Sequence, residues 1–247
     1  LWETAEERIA GVLNPEAPHE AFLQVHPGYR TPELEEEMLA VAEKHLAASG
    51  PGGKNWRCIW AHEGDALRAA VLSRRGYRRG DNAEYQRRRS LSEPLPAVPL
   101  ATGYPVRSWA GVEELPARSW ASWRAFHPDV PDDRFQGWEW YANIQRAPLY
   151  RRDLDLVVVA EGGEIAAFCT IWFDDVTRTG AFEPVGTVPE HHRRGLGKAV
   201  MVEGLRRLQS MGADLATVGS LTAPAHALYA SVSFTDYDLS EPWVKES

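Results

Sequence analysis

Hydrophobic positions along this chain fall into two spacings, and the change from one to the other marks its elements. Residues 154–160 and 166–173 are nearly continuous apolar runs on either side of Glu161-Gly162-Gly163-Glu164. Short apolar runs bracketing a glycine-rich turn predict a buried antiparallel hairpin. A third strand is expected over 181–188. Over 195–211 the period becomes helical, with Met201, Leu205 and Leu208 on one stripe and Gly212 as the stop. Beyond it the pattern predicts a short strand over 215–219, a helix over 225–232 and a closing strand over 234–243. Upstream, 104–109 reads as a strand, 111–126 as a helix and 133–146 as a second helical segment. The predicted order is β-α-α-β-β-β-α-β-α-β.

The part of the chain before residue 93 repeats the end of that order. Residues 20–26 and 56–60 are strand-like and 65–75 helical, while 32–48 carries Leu34, Met38 and Val41 at i, i+4 and i+7. Aligning Pro27 with Pro189 puts Leu34 on Leu196 and Gly76-Tyr77 on Ser233-Phe234. Two copies of one unit are therefore expected, the first lacking its opening strands. Pro94, Pro96 and Pro99 favour an extended linker between them. The division read from the sequence is a partial first unit over 1–92, a linker over 93–103 and a complete second unit over 104–247. The fold class is α/β, an α+β arrangement on a mixed sheet.

Composition narrows the partners. The chain has 247 residues, 27 Lys and Arg against 35 Asp and Glu, and a formal charge of −8, which argues against bulk binding to nucleic acid or an anionic membrane. The apolar runs fall short of the roughly 20 residues that a membrane span needs. Cys58 and Cys169 lie far apart in apolar surroundings, as two buried small hydrophobes in a reducing, cytoplasmic compartment rather than a disulfide or zinc framework. The start at Leu1, without Met or a signal pattern, is expected of a trimmed piece of a longer product.

Chemistry concentrates in Val188-Pro189-Glu190-His191-His192-Arg193-Arg194-Gly195-Leu196-Gly197-Lys198-Ala199, between a predicted strand and a predicted helix. Gly195 and Gly197 remove side chains where the backbone must curl, so that successive N–H groups point at one anion at the helix start. Arg193, Arg194 and Lys198 add positive charge, and such a cradle suits a pyrophosphate. Adjacent His191 and His192 point apart with no third ligand at metal spacing, so no metal is expected.

His192-Arg193-Arg194-Gly195-Leu196-Gly197 resembles the Gln/Arg-x-x-Gly-x-Gly/Ala signature of the GNAT superfamily of acyl-CoA N-acyltransferases, with His in the first place. Ala225-His226-Ala227-Leu228-Tyr229-Ala230-Ser231-Val232-Ser233-Phe234 is similar to the family's Ala-x-x-Leu-Tyr-x-x-x-Gly-Phe, with Ser233 for glycine. A tandem with one degenerate copy resembles the arrangement of mycothiol synthases. The resemblance implies two GNAT-like units, the first incomplete, and N-acetyl transfer from acetyl-CoA, as cosubstrate, to a small-molecule or peptide amine by direct attack in the C-terminal half. It implies that backbone groups of Gly186, Thr187 and Val188 pair with the pantetheine arm, and that those of Arg193, Arg194, Gly195, Leu196, Gly197 and Lys198 hold the pyrophosphate. Tyr229 would protonate the leaving thiolate, its ordinary pKa of about 10 suiting a thiol.

Two positions depart from the family. Thr222 stands where an Asn often contacts the cofactor, which implies a weaker contact, and Thr217 where some members carry a catalytic Glu. The expected base is therefore Glu183, an acid in an otherwise apolar strand beside Pro184, where a bulge and partial burial would raise its pKa. The same alignment puts Glu33 and Glu35 on Gly195 and Gly197, and Pro32 on Arg194, so the first copy should not bind the cofactor. The aromatic set Trp120, Trp123, Phe126, Trp138, Trp140 and Tyr141 reads as core, and His127 as a surface cap. A monomer or homodimer is expected. The alternative function is a non-catalytic CoA-responsive or partner-binding module of the same fold.

Overall fold

A computed structural model describes residues 1–46, 56–98 and 103–246. Its strands are β1 (Trp2–Glu3), β2 (Ile9–Ala17), β3 (Glu20–Val25), β4 (Trp56–His62), β5 (Arg78–Arg79), β6 (Glu84–Ser90), β7 (Val106–Ser108), β8 (Asp155–Val159), β9 (Ile165–Asp174), β10 (Thr179–Thr187), β11 (Leu215–Ser220) and β12 (Asp236–Glu246). Its helices are α1 (Pro32–His45), α2 (Ala66–Arg74), α3 (Leu115–Phe126), α4 (Glu139–Ile144), α5 (Leu196–Ser210) and α6 (Ala223–Ser231). Two compact units form, Leu1–Tyr85 with the C-terminal segment from Asp238, and Gln86–Tyr237. The proline-rich stretch at 93–103 does not coincide with either crossing. Proline sets local extension, whereas unit membership follows from which strands find partners. Residues 99–102 of that stretch, and 47–48 of the helix expected over 32–48, lie outside the described residues.

In the second unit the sheet order is β6-β11-β10-β9-β8-β7. β7 through β10 pair antiparallel with their neighbours, and β10 then pairs parallel with β11 through the α5 crossover. Alternate residues of β8 and β9 feed opposite faces. Leu156, Val158, Cys169 and Ile171 pack with Leu196, Val200, Met201, Leu205 and Leu208 of α5. Val157 and Phe168 pack with Ala121 of α3. Gly180 and Gly204 let α5 approach closely, since a Cβ at Gly180 would lie 2.4 Å from Leu208 Cδ1 and one at Gly204 2.5 Å from Ile171 Cδ1.

The first unit has the sheet order β1-β2-β3-β4-β12, with β5 on β12. β2 and β3 pair antiparallel from Gly11↔Val25 to Ala17↔Glu20, and β3 runs parallel to β4. The opening strands expected to be missing are thus partly present, because β2 supplies the hairpin partner of β3. Its sequence, IAGVLNPEA, hid it through Gly11 and Pro15. From Ser240 to Glu246, β12 pairs with β4, completing this sheet with a strand encoded after the second unit.

The helical segment expected over 133–146 is mostly irregular. It contains a 3-10 turn at Asp132–Arg134 and the short α4, with Gly137 at φ +92° between them. The aromatic set expected as core is core only in part: Phe126 at the end of α3 is 54% exposed, Trp138 37% and Trp140 44%, Trp120 and Trp123 are half-buried, and Tyr141 is fully buried.

Candidate active site

The site begins where two parallel strands part. β10 and β11 are in register over Thr179↔Leu215, Gly180↔Ala216 and Ala181↔Thr217, and both continue beyond the last pair. On the other side of β10 the register jumps from Phe182↔Ile171 to Val185↔Cys169, so Glu183 and Pro184 together face Thr170. This is the bulge that Pro184 implied, and it lies at the start of the splay.

Past the bulge, backbone direction alternates. The Val188 N–H donates to Ala166 O at 2.9 Å, so Val188, and by alternation Gly186, direct their backbone groups at β9. Val185 and Thr187 direct theirs into the opening between β10 and β11. Of Gly186, Thr187 and Val188, Thr187 therefore directs its N–H into the opening, with Val185 as its companion, while its carbonyl meets His192. Gly186 has another use: a Cβ there would lie 2.3 Å from Phe168 Cζ, so its bareness seats that ring.

The strand runs into a loop that turns twice through the left-handed region, at Arg193 (φ +64°) and Gly195 (φ +75°). Gly195 is the N-cap of α5, and no side chain caps the helix. The first backbone bond into it is Ala199 N–H to Gly195 O, at 3.0 Å, which leaves the N–H groups of Leu196, Gly197 and Lys198 outside the helical ladder. His192 Nε2 lies 2.9 Å from Thr187 O and ties the loop to the strand end. The Arg194 guanidinium donates to the Tyr104 hydroxyl and lies 5.7 Å over that ring.

Gly197 is where three elements meet. A Cβ there would lie 3.2 Å from Leu228 Cδ2 and 3.3 Å from Thr187 Oγ1. The cradle is thereby fitted against the end of β10 and against α6, whose next residue after Leu228 is Tyr229. Tyr229 is 6% exposed, within the cluster that includes Phe182, Leu196 and Phe234, its ring 6.5 Å from that of Phe234. Helix α6 closes on Ser233 at φ +67°, the conformation that explains the family's glycine, and Phe234 N–H returns to Tyr229 O at 3.0 Å. Near this helix, Arg87 Nε donates to Ser220 Oγ at 3.2 Å and Ser220 Oγ lies 2.8 Å from His226 Nδ1. Desolvation first, and then the Arg87 charge, lowers the His226 pKa.

Two expected residues sit differently from the sequence reading. Glu183 is exposed rather than partly buried, because the bulge carries it out of the packed ladder. Thr222 is the N-cap of α6, and its hydroxyl accepts from Ala225 N–H at 3.4 Å, a structural use of that side chain. Sequence reasoning missed Trp172, whose Nε1 donates to Glu183 O at 2.7 Å, and Val185. The signal for Trp172 was its place two residues from an acid-bearing bulge on the facing strand, which a single sequence does not reveal. Among the described residues no group of three or more His, Cys, Asp or Glu could hold a metal, and no helix is long and apolar enough to cross a membrane. Cys58 and Cys169 are free and buried, and burial pushes the Cys58 thiol up to about 12.

The first unit repeats the site with each element altered. Its α1 is capped by Thr31, whose hydroxyl accepts from Leu34 N–H at 3.2 Å. Cap on cap, Thr31 matches Gly195, Glu33 matches Gly197 and Arg30 matches Arg194, a shift of two from the sequence alignment. A basic residue is thus retained, but Arg30 Nε is 2.7 Å from Glu35 Oε1 and its Nη2 2.5 Å from Asp65 Oδ2. Glu35, fully buried, also binds Arg68 through Nε at 2.9 Å and Nη2 at 2.8 Å. At the second helix Gly76 has φ +83° and Tyr77 N–H returns to Leu72 O at 3.0 Å, so Leu72 occupies the position of Tyr229.

A bulged strand splaying from its parallel neighbour, an uncapped helix start and a buried tyrosine on the next helix define the acyl-CoA-dependent acyltransferase class. The acetyltransferase (GNAT) family model matches residues 112–234. The mycothiol acetyltransferase of Thermobispora bispora is 30% identical over 244 residues, covering 93% of this chain and 77% of its own. That of Paenarthrobacter aurescens is 28% identical over 87% of this chain and 67% of its own. A GCN5-related N-acetyltransferase from Sphaerobacter thermophilus superposes with a TM-score of 0.73 at 17% identity, over 99% of this chain and 79% of its own. A tandem GNAT protein from the clavulanic acid biosynthesis pathway does so with 0.71 at 18%, over 98% and 81%. The chain belongs to the GNAT acetyltransferase family, and it is an acyltransferase of the tandem type with a mycothiol-synthase-like arrangement.

Proposed function

We propose that the second unit transfers the acetyl group of acetyl-CoA to the amine of a small-molecule acceptor, and that the first unit binds no acetyl-CoA. The carrying observation is the meeting at Gly197 of the β10 end, the open helix start and the Tyr229 helix. Thr187 and Val185 pair with the amide-bearing arm of the cosubstrate. The N–H groups of Leu196, Gly197 and Lys198, with the charges of Arg193 and Lys198, hold its pyrophosphate. Glu183, in solvent reach at the bulge, takes the proton of the acceptor ammonium, because only the neutral amine attacks a thioester. Tyr229 donates its phenolic proton to the departing sulfur. The relatives' name favours the unacetylated precursor of mycothiol as the first acceptor to try.

The test is release of CoA thiol across a panel of amines that includes this precursor. Tyr229→Phe should lower turnover by about 10²–10⁴-fold with little change in acetyl-CoA affinity, since the ring remains. Wild-type turnover in that variant would return Tyr229 to packing. Glu183→Gln should depress the rate most near neutral pH and recover as rising pH deprotonates the amine in solution. A deficit constant from about pH 7 to 10 would remove Glu183 as base.

A further inference from the structure

We propose that Trp172 is the positioning residue for Glu183, holding the bulge so that this carboxylate meets the acceptor amine; the proposal rests on Glu183 acting as base. A bulge takes its residues out of the regular ladder, and their backbone groups then need other partners. Trp172 faces Ala181 on the adjoining strand, two residues before Glu183, and its indole N–H donates to the Glu183 carbonyl at 2.7 Å.

The indole is itself braced. Its ring meets that of Tyr150 edge-on at 6.3 Å, and the Tyr150 hydroxyl donates to Asp155 Oδ2 at 2.9 Å. Asp155 is fully buried, 3.2 Å from Arg118 Nε and accepting the Tyr141 hydroxyl at 2.7 Å. Burial, and then the Asp155 charge, raises the Tyr150 pKa, which keeps this phenol a donor. A buried ion pair is hard to displace, because removing one partner leaves an uncompensated charge. The exposed bulge is thus connected to a fixed point in the interior through Trp172 and Tyr150. Displacing a reacting group by about 1 Å can cost on the order of 10²-fold in rate.

The experiment is a double-mutant cycle in the full chain, with kcat measured at saturating acetyl-CoA. Trp172→Phe keeps an aromatic ring and removes the donor. It should lower kcat about tenfold while the acetyl-CoA KM stays within about twofold, and in a Glu183→Gln background it should cost less than about twofold more. Wild-type kcat in Trp172→Phe, or losses that simply multiply in the double variant, overturns the proposal while leaving Glu183 as base. Wild-type turnover in Glu183→Gln overturns the base reading and the positioning with it. Tyr150→Phe, which cuts the link to Asp155 but keeps the ring, should act in the same direction and couple to Glu183→Gln in the same way. It decides the matter should Trp172→Phe not fold.

Discussion

Two left-handed residues in the second unit have opposite tolerances. At Gly195, φ +75° already disfavours any side chain, and a carboxylate would also stand where the pyrophosphate is proposed to sit. Gly195→Glu should abolish acetyl-CoA binding in calorimetry; unchanged affinity would remove the cradle assignment. Ser233 at φ +67° bears a strain that glycine would not, roughly 1–2 kcal/mol, against about 0.4–1 kcal/mol of extra chain entropy in the unfolded state. Ser233→Gly should therefore stabilise the fold by up to about 1.5 kcal/mol, read as a raised melting temperature. The glycine motif and Tyr229 were legible at this scale because they are local in sequence. Trp172 and Val185 were not, since their use depends on a bulge register that two distant strands create together.

Among the elements, the helices with a clear 3.6-residue stripe were legible to within a few residues, as α5 illustrates. Legibility failed where packing overrode pattern. β2 carries Gly11 and Pro15 yet pairs along β3, and the aromatic run after α3 stays largely at the surface around Gly137. Glu114, at the N-cap position of α3, makes no side-chain cap bond to that helix, and its carboxylate instead ties the loop before it to β7. Glu114 accepts from Arg107 Nη1 at 3.0 Å and from Ala110 N–H at 2.7 Å, and the Arg107 hydrogen bond holds its carboxyl below the usual range. A depressed carboxylate stabilises the fold above its unfolded pKa, about 4.3–4.5, and that contribution is lost as pH falls through the folded value. Glu114→Gln should thus melt lower than wild type near pH 7, and the gap should close on acidification. A gap that persists or widens toward about pH 3 would refute this assignment.

For the whole molecule, the repeat was legible, and the altered cradle of its first copy was legible only in part. The sequence alignment removed the basic residue; the caps show Arg30 retained and neutralised internally by Glu35 and Asp65. The register slipped because loops of different length precede α1 and α5, which a gapless alignment cannot follow. Calorimetry should find one acetyl-CoA per chain. Two sites of similar affinity would contradict the proposed division of labour.

Glu35 is an anion fixed in α1 that pairs with Arg30, just before that helix, and with Arg68 of α2, and a tethered anion cannot be diluted away. No rise in free acetyl-CoA competes with it on equal terms, whereas binding to the second unit adds RT ln(1 + [L]/Kd) to the stability of that unit, about 2.7 kcal/mol at a hundredfold excess over Kd. The two halves of the chain should then sense the cell's acyl supply differently. Amide exchange in α5 and β11 should slow as acetyl-CoA is added, while exchange in α1 and α2 keeps its own pace. On the proposed division of labour, withdrawing acetyl-CoA loosens the second unit and leaves the first as it was.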